Sequence, residues 1–294
     1  MSARAILNSY VRLTKPTIMV LVLFTGATAL FVEGSFVHEP MKFLWVMVGL
    51  FLTGGCANAL NQYFERDIDA RMERTRQRRP LPMGELGPAH ALMFSVLIGI
   101  AGVVIFAWVF NLLTAVLSLA TILFYSLFYT LFLKPNTPQN IVIGGAAGAM
   151  APVGAWAAAT GTMAVAPWIM FLIVFLWTPP HFWALALFCK DDYIKAKLPM
   201  MPVVKGDDQT LRQMFYYGLA LVAVSLTLVF FQTGLVYLVA AVLLGFVFIR
   251  KTRRAMKEKT EKIIRGLFGY SIVYLFALFL AMIVDRYLFF EIGL

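Results

Sequence analysis

Long apolar blocks dominate this sequence and limit the folds that it can adopt. Residues 18–31, 96–110 and 219–231 contain no charged side chain. Because a helix needs roughly 20 apolar residues to cross a bilayer, a chain of 294 residues with this pattern has room for about nine such helices. Apolar residues make up 61% and charged residues 14% of the chain, against about 45–50% and 25% in soluble domains. A soluble globular domain is therefore excluded.

The apolar pattern predicts an all-α membrane protein of about nine transmembrane helices in a single domain, residues 1–294. Several junctions, for example at Asn111, are so short that the helices they join must be antiparallel neighbours. The predicted spans cover residues 17–35, 41–63, 89–110, 112–133, 139–160, 166–189, 214–232, 234–249 and 267–289.

Basic residues are concentrated in alternate loops, and this predicts the orientation of the chain. The N-terminal segment and the loops after spans 2, 4, 6 and 8 hold 23 of the 25 Lys and Arg residues, whereas Lys42 and Arg286 fall on the other side. Cytoplasmic loops are enriched in Lys and Arg, so the N-terminus is predicted to be cytoplasmic. The first sixteen residues lack the apolar core of a signal peptide, and a bacterial plasma (inner) membrane is expected. The basic run 250–265 is predicted to anchor at lipid head groups rather than to bind nucleic acid.

Two long polar loops on the predicted cytoplasmic side share one layout. The first, residues 65–87, ends in RRPLPMGELG, and the second, residues 190–212, contains LPMMPVVKG. Each begins with carboxylates at a helix end, passes through basic residues and reaches a proline turn followed by glycine. Since four spans separate them, we predict a parallel duplication of a four-helix unit, spans 1–4 and 5–8, with span 9 added.

The inner end of the second span carries polar side chains at helical spacing. A helix that continues to about residue 69 places four oxygen-bearing side chains on one face, namely Asn58, Asn61, Glu65 and Asp69. Asp67 points away from this face. Oxygen ligands suit Mg²⁺, which binds one or two carboxylates together with water and substrate phosphates. The alternative is a solvated helix end that only obeys the positive-inside rule; the asparagines inside the apolar segment favour the metal site, with Asn61, Glu65 and Asp69 as ligands.

The second loop offers further candidates. Asp191 and Asp192 are adjacent and cannot share one helix face, so one of them is expected to join a metal site, where it would help to hold a pair of ions around one diphosphate. Arginine forks and lysines in both loops and after span 4 are candidates for binding the phosphates. The predicted diphosphate-binding residues are Arg74, Arg78, Lys134, Lys195 and Lys197.

An ionisable side chain lies deep inside the sixth span. His181 follows Pro179 and Pro180 in LWTPPHFWALALF, and the two prolines are expected to break the helix. An ionisable group at membrane depth is a functional candidate. The alternative is a histidine bonded to the carbonyls that the prolines leave free. The predicted acceptor pocket consists of His181, Trp177, Phe182 and Tyr193.

Small residues in the fifth span predict close helix packing. Gly144 and Gly148, and likewise Gly145 and Ala149, have the small-xxx-small spacing that lets helix backbones approach closely. We expect these pairs to have a packing role.

These motifs resemble the UbiA superfamily of intramembrane prenyltransferases, which carry an N-x-x-x-D-x-x-x-D face at the inner end of the second span. Here that face reads Asn61, Glu65, Asp69, with Glu65 in place of the first aspartate. The strings YFERDIDARMERTRQRRPL, LWTPPHFWALALF and KDDYIKAKLPMMPVVKG resemble the branch that farnesylates haem, and the similarity extends from residue 15 through the ninth span. A second D-x-x-x-D of the superfamily is not matched, because Lys195 and Ala196 stand four residues beyond the two aspartates of the second loop.

The resemblance implies an Mg²⁺-dependent enzyme that transfers a farnesyl group from farnesyl diphosphate to a vinyl group of haem B, with addition of water, to give haem O. It implies that Asn61, Glu65, Asp69 and Asp192 are catalytic, that Mg²⁺ is the cofactor, and that the active site is on the cytoplasmic side. The expected partners are the two substrates, membrane lipid and a haem A synthase or terminal oxidase that receives the product; no nucleic acid is expected.

Three alternatives remain open from the sequence. A related prenyltransferase could use another acceptor, such as a quinone precursor or a chlorophyll-type ring. A cation-coupled transporter is compatible with an internal duplication, although transporter sites lie near the bilayer midplane. A phosphatidyl-type alcohol transferase would also use aspartates and a divalent metal, but its longer Asp-Gly and Ala-Arg string is missing from this sequence.

Overall fold

The fold is a bundle of long helices. The computed structural model describes residues 2–231 and 233–292, with side chains as far as residue 288. The helices are α1 (Ala3–Leu13), α2 (Pro16–Glu33), α3 (Pro40–Phe64), α4 (Arg66–Asp69), α5 (Glu73–Arg76), α6 (Pro88–Phe110), α7 (Leu112–Asn136), α8 (Asn140–Thr160), α9 (Val165–Phe188), α10 (Lys190–Lys195), α11 (Met201–Val204), α12 (Gly206–Phe230), α13 (Leu235–Glu258) and α14 (Glu261–Ile292). Within the described residues, nine of them are long and apolar enough to cross a membrane, which confirms the all-α membrane fold.

Three of the helices extend beyond the predicted spans by about two helical turns. Helix α12 begins at Gly206 rather than 214, α13 continues to Glu258 rather than 249, and α14 begins at Glu261 rather than 267. The predicted end of the seventh span, at 232, lies outside the described residues. The helices extend because Lys, Arg and Glu are good helix formers and form i,i+4 ion pairs, such as Arg254 with Glu258.

The two ends of the bundle differ in the length of their connections. At one end, here called the loop end, lie the N-terminal segment, the two long loops and the junction between α13 and α14. At the opposite end the connections are short and are tied by capping side chains. Asn111 accepts a hydrogen bond from the Thr114 N–H at 2.9 Å and donates one to the Ala157 carbonyl at 2.8 Å. Asp285 accepts one from the Tyr237 N–H at 3.0 Å, so it satisfies an N–H at the start of α13.

Helix packing in the two halves follows a similar order. Helix α3 packs on α2 and α6, and α9 packs on α8 and α12, as the predicted duplication requires. The halves meet where α2 packs against α8, and α14 packs against α2, α9 and α13. The duplication itself stays a prediction.

The outward helix faces are apolar. Met93, Leu97 and Ile100 of α6 are 56–58% exposed at helical spacing, and Phe246 of α13 is 66% exposed. In water such continuous apolar surfaces would favour association. Lipid chains satisfy them, so the chain is a multi-pass membrane protein.

The sixth span is not broken by its two prolines, contrary to the sequence prediction. Helix α9 runs continuously through Pro179 and Pro180. Each proline removes one N–H donor, so the carbonyls of Phe175 and Leu176, four residues earlier, lose their usual partners in the helix. Neighbouring helices pack on both sides of this segment, which is how membrane helices tolerate proline.

Candidate active site

Three of the four oxygen-bearing side chains predicted to share a face at the end of the second span do so in the structure. The Glu65 N–H bonds to the Asn61 carbonyl at 3.0 Å, and the Asp69 N–H bonds to the Glu65 carbonyl at 2.8 Å. These i→i+4 bonds carry the helical turn from α3 into α4, so the three side chains share one face. All three are at most 2% exposed. Asp67, on the other face, is exposed as predicted, whereas Asn58 turns away and donates to the Thr14 carbonyl at 3.2 Å.

Three cations from separate parts of the chain surround this face. Lys134, near the end of α7, donates to Glu65 Oε1 at 2.5 Å. Arg79, from the first long loop, pairs with Asp69 and lies 3.5 Å from Glu65 Oε2. Lys15, at the junction of α1 and α2, donates to Asn61 Oδ1 at 2.6 Å. In their charged forms, these three cations and the two carboxylates sum to one net positive charge in a buried cluster.

The two carboxylates have opposite pKa shifts. Burial by itself favours the neutral acid, but Lys134, Arg79 and Lys15 outweigh it and hold the pKa of Glu65 below its usual value. Burial also acts on Asp69, and there Arg79 does not fully offset it, so the pKa of Asp69 is raised. Glu65 is thus the more acidic member of the pair, and the two sites titrate apart.

The pKa of Lys15 is also shifted. Burial, reinforced by the nearby charge of Arg79, lowers the pKa of Lys15 well below its usual value. Burial disfavours the charged form of Lys15, and its hydrogen-bond partner, Asn61, is neutral. An anion bound beside Lys15 would stabilise the charged lysine.

Side chains of α7 complete the wall of the cluster. Thr130 accepts a hydrogen bond from Asn61 Nδ2 at 3.0 Å, which orients the amide. The rings of Tyr125 and Tyr129 stack at 5.1 Å, and both lie close enough to Glu65 to interact with its charge. One side of the site is therefore charged and the other is aromatic.

The donor set fits a hard divalent cation that also binds substrate. Asn61, Glu65 and Asp69 offer only oxygen ligands, as Mg²⁺ prefers. Among the described residues no group of three or more His, Cys, Asp or Glu side chains gathers as a metal site. An ion held here would need further ligands from water or from substrate phosphates, and the surrounding cations suit those phosphates.

The structure does not bring the aspartates of the second loop to this face. Asp191 is exposed. Asp192 is turned toward the backbone of the first loop, where its carboxylate accepts the Glu73 N–H at 3.3 Å and the Arg74 N–H at 3.1 Å. The carboxylate is thus occupied by two amide donors at the start of α5.

The predicted diphosphate-binding residues separate into two groups. Lys134 lies in the cluster, as described above. Arg74 is half-buried beside Tyr193, whereas Arg78, Lys195 and Lys197 are exposed. The loop turns Arg79, rather than its neighbour Arg78, toward the carboxylates.

The residues of the predicted acceptor pocket also do not all meet at one point. Trp177 and Phe268 stack on the two faces of the His181 ring, at 4.3 and 4.5 Å, and Phe182 meets it edge-on at 5.0 Å. His181 Nδ1 lies 2.7 Å from Ser271 Oγ, so its partner is a side chain of α14 rather than a freed carbonyl. Tyr193 belongs to an apolar cluster with Trp183 and Met200, against which Phe182 and Phe268 also pack, and burial raises its pKa.

Sequence reasoning missed one of the three cations that meet the face, Lys15, and did not single out Arg79. Lys15 counted only as a positive charge at the membrane surface, and Arg79 was one of several arginines in its loop. Their position beside a proline, in KP and RP, is the one local signal. Proline restricts the preceding residue to a few conformations, and Lys15 has the unusual φ of 53°.

Comparisons with known proteins show the family of this chain. Residues 22–284 match the UbiA prenyltransferase family. A relative from Gloeobacter violaceus, named protoheme IX farnesyltransferase, is 47% identical over 283 residues, which cover 96% of this chain and 92% of the relative.

Solved structures share the fold at low sequence identity. A structure described for digeranylgeranylglyceryl phosphate synthase has a TM-score of 0.79 at 20% identity and covers 96% of this chain and 98% of that chain. A UbiA homolog from Archaeoglobus fulgidus bound to GPP and Mg²⁺ has a TM-score of 0.62 at 15% identity and covers 93% of this chain and 99% of that chain. With the family match over most of the chain and the relative at 47% identity, this protein belongs to the UbiA prenyltransferase family.

Proposed function

We propose that this protein transfers a farnesyl group from farnesyl diphosphate to a vinyl group of haem B. The observation that carries the proposal is the buried cluster of Asn61, Glu65 and Asp69 with three cations at the loop end of a lipid-exposed bundle. A relative at 47% identity is named for this reaction. A site for a charged diphosphate beside lipid-facing helices suits a substrate with a charged head and an apolar chain of fifteen carbons.

The reaction forms a carbon–carbon and a carbon–oxygen bond, and it breaks the allylic carbon–oxygen bond, the π bond of the vinyl group and one O–H bond of water. The allylic carbon–oxygen bond of farnesyl diphosphate breaks, and diphosphate leaves with the electron pair. The vinyl group attacks the allylic carbon and forms a carbon–carbon bond. Water adds to the resulting cation on the porphyrin side chain, its proton is released to the diphosphate or to solvent, and the product is haem O.

We further propose that the oxygen face holds Mg²⁺ through Asn61, Glu65 and Asp69. When bound, the ion would supply positive charge against the leaving diphosphate. Support comes from the oxygen-only donor set and from the Mg²⁺ in the Archaeoglobus fulgidus homolog.

The protein's own cations bind and stabilise the diphosphate in this proposal. Lys134 and Arg79 already lie against the carboxylates, and a short movement of each would bring it to phosphate oxygens. Fixed positive charge around a developing anion lowers the barrier because the site needs little reorganisation. Lys15 contributes a third charge and orients Asn61.

The aromatic wall protects the allylic cation. Tyr125 and Tyr129 present stacked rings beside the charged face, and ring faces attract cations. A buried site also keeps bulk water from the cation before the vinyl group reacts. Water must be admitted only after the carbon–carbon bond has formed.

The decisive experiment combines purified protein with haem B, farnesyl diphosphate and Mg²⁺. Mass spectrometry should detect a product heavier by the farnesyl and hydroxyl groups. Asp69→Asn should lower kcat by about a hundredfold or more, since it removes a ligand and a charge of the reaction centre. Asp67→Asn, two residues away on the exposed face, is the matched control and should keep full activity. Absence of product from haem B, with turnover of a quinone precursor or chlorophyll-type ring instead, would overturn the choice of acceptor.

We place the site on the cytoplasmic side of a bacterial plasma membrane, with haem O passing to a haem A synthase or terminal oxidase. The support is the accumulation of basic residues at the loop end. A transporter is disfavoured because the carboxylates lie at the end of the helices, whereas transporter sites lie near the midplane.

A further inference from the structure

A cavity opens at the loop end, and its lining residues are not those of the buried cluster. It has a volume of about 260 Å³ and lies between the two long loops. Three cations and one carboxylate are among its lining residues, which are Arg71, Glu73, Arg76, Gln77 and Lys195. Among the residues that the structure describes, none of the three cations forms an ion pair. The cavity is therefore a concave surface with unneutralised positive charge.

The carboxylate of Asp192 holds the two walls of this cavity together. It accepts the N–H groups of Glu73 and Arg74, which begin α5, and a carboxylate at that position stabilises the first turn of a helix. Lys195 lies three residues further along α10, on the same helix face as Asp192. The contact therefore fixes Lys195 of one wall opposite α5, which carries Arg76.

The sequence around Asp192 agrees with this role. Lys195 and Ala196 stand four residues after the two aspartates, and Leu187 and Phe188 stand four residues before them. A second carboxylate one helical turn away, as in the Glu65 and Asp69 pair, is thus missing in both directions. Asp192 is engaged with backbone amides instead.

The position of the cavity indicates which ligand it suits. Arg71 follows Asp69 by two residues, so its Cα lies within roughly 7 Å of the Cα of Asp69. Lys134 and Arg79 already surround the diphosphate site, so a second anion is expected here. Haem B carries two carboxylates on the edge opposite its vinyl groups, and arginine forks bind carboxylates in pairs of parallel hydrogen bonds.

We propose that Arg71, Arg76 and Lys195 form a subsite for the carboxylates of the acceptor, and that Asp192 is a positioning residue that assembles it. This inference rests on the proposed function. It assigns the orientation of the acceptor, with its carboxylates at the surface of the loops and a vinyl group directed toward the buried cluster. It also separates the roles of the loops, since the first binds both substrates and the second completes the site of the acceptor.

The first test compares haem B with its dimethyl ester. Titrations with the purified protein in neutral nanodiscs should show that the diacid binds about tenfold or more tightly, as expected for lost charge-assisted hydrogen bonds. The variant Arg76→Gln with Lys195→Gln should lose this preference, raise the KM for haem about tenfold and leave the KM for farnesyl diphosphate within about twofold. The double variant Lys205→Gln with Arg212→Gln removes the same charge from exposed sites at the same end and should behave as wild type.

Each contrary result has a definite meaning. Equal binding of diacid and diester by the wild type overturns the proposal. A raised KM for farnesyl diphosphate in the cavity variant would assign the cavity to diphosphate, and loss of the preference only in nanodiscs with anionic lipid would assign it to lipid phosphate; both overturn it. The binding comparison needs no turnover, so failure to make haem O would refute the proposed function without deciding this test.

The role of Asp192 is tested separately. Asp192→Asn should weaken haem binding as the cavity variant does, because an amide presents one acceptor oxygen rather than two. Mn²⁺ binding in the presence of unreactive farnesyl thiodiphosphate, measured by electron paramagnetic resonance, should remain within about twofold of wild type, as should that of Asp67→Asn. A tenfold or greater loss of Mn²⁺ affinity would make Asp192 a metal ligand and overturn its positioning role.

Discussion

At the scale of single residues, the site depends on the difference between two carboxylates four positions apart. Among the described residues, Glu65 has two cations within 3.5 Å, whereas Asp69 has only Arg79 as an ion-pair partner. Burial favours the neutral acid at both positions, but the cations outweigh it at Glu65, whose pKa is lowered, and not at Asp69, whose pKa is raised. Groups whose environments separate their pKa values are typical of catalytic sites. Asp69 is the residue that protonates first as the pH falls.

The fall of activity at low pH, here called the acid limb, is therefore predicted to result from protonation of Asp69. Because metal binding needs the ionised carboxylate, the limb in kcat/KM should lie above the usual aspartate range of about 4. Arg79 lowers the pKa of Asp69, so Arg79→Gln should move the limb to higher pH. The measurement is a pH profile of kcat/KM together with the pH dependence of Mn²⁺ binding, since binding can be followed even where little activity remains.

A matched variant separates this local effect from a change in overall charge. Arg253→Gln removes one positive charge from an exposed position at the loop end and should leave the acid limb unchanged. Equal shifts in the two variants would contradict the assignment to Asp69. Arg78→Gln changes the exposed neighbour of Arg79, which the sequence predicted to bind diphosphate. It should also leave the acid limb unchanged, because Arg79 rather than Arg78 pairs with Asp69.

At the scale of helices, close packing brings the aromatic wall to the site. A Cβ at Gly144 of α8 would lie 2.3 Å from a ring carbon of Tyr129, and one at Gly145 would lie 2.9 Å from Thr178. A Cβ at Gly148 meets no atom within 4 Å. The spacing of small residues thus predicts the packed helix correctly, but only part of the motif makes contact. Sequence spacing cannot show which member faces a neighbour, because this depends on the rotation of the helix.

Gly144→Ala is therefore predicted to destabilise the protein, by about 1–3 kcal/mol as for other overpacked sites. It should also displace Tyr129 from the site and lower kcat. Thermal unfolding in detergent, followed by size-exclusion fluorescence, measures the stability, and product formation measures the second effect. Gly148→Ala adds the same methyl group to the same helix without a clash, so it should be neutral or slightly stabilising through helix propensity. Equal loss in both variants would contradict the packing argument.

Contacts between two helices also fix the position of the His181 ring. Its ring is held between Trp177 and Phe268, and Ser271 binds its Nδ1. Trp177 Nε1 also donates to the Ser271 carbonyl at 2.7 Å. These contacts join α9 to α14 at one point. With both faces of the ring covered, any contact of His181 with haem would be made through Nε2 at the ring edge.

At the scale of the whole molecule, the sequence predicts most of the architecture. Nine spans and the oxygen face follow from apolar runs and from i, i+4 spacing, because both patterns are local. The cations at that face come from residues 15, 79 and 134, and their meeting depends on how loops far apart in the chain pack. Asp192 illustrates the same limit, since its position beside basic residues suggests a metal ligand while its partners are amides 118 and 119 residues away.

Orientation in the membrane follows from the same charge distribution and gives the last prediction. The loop end carries 23 of the 25 basic residues, and basic loops are retained on the cytoplasmic side. In a background with Cys189→Ser, Thr260→Cys places a thiol in the exposed junction of α13 and α14, and Met163→Cys places one at the opposite end. A membrane-impermeant maleimide should label residue 163 in intact spheroplasts and residue 260 only after permeabilisation. The reverse pattern would put the buried cluster of Asn61, Glu65 and Asp69 on the outer face of the membrane. The cluster would then lie away from the cytoplasmic supply of prenyl diphosphate and haem that the proposed reaction requires.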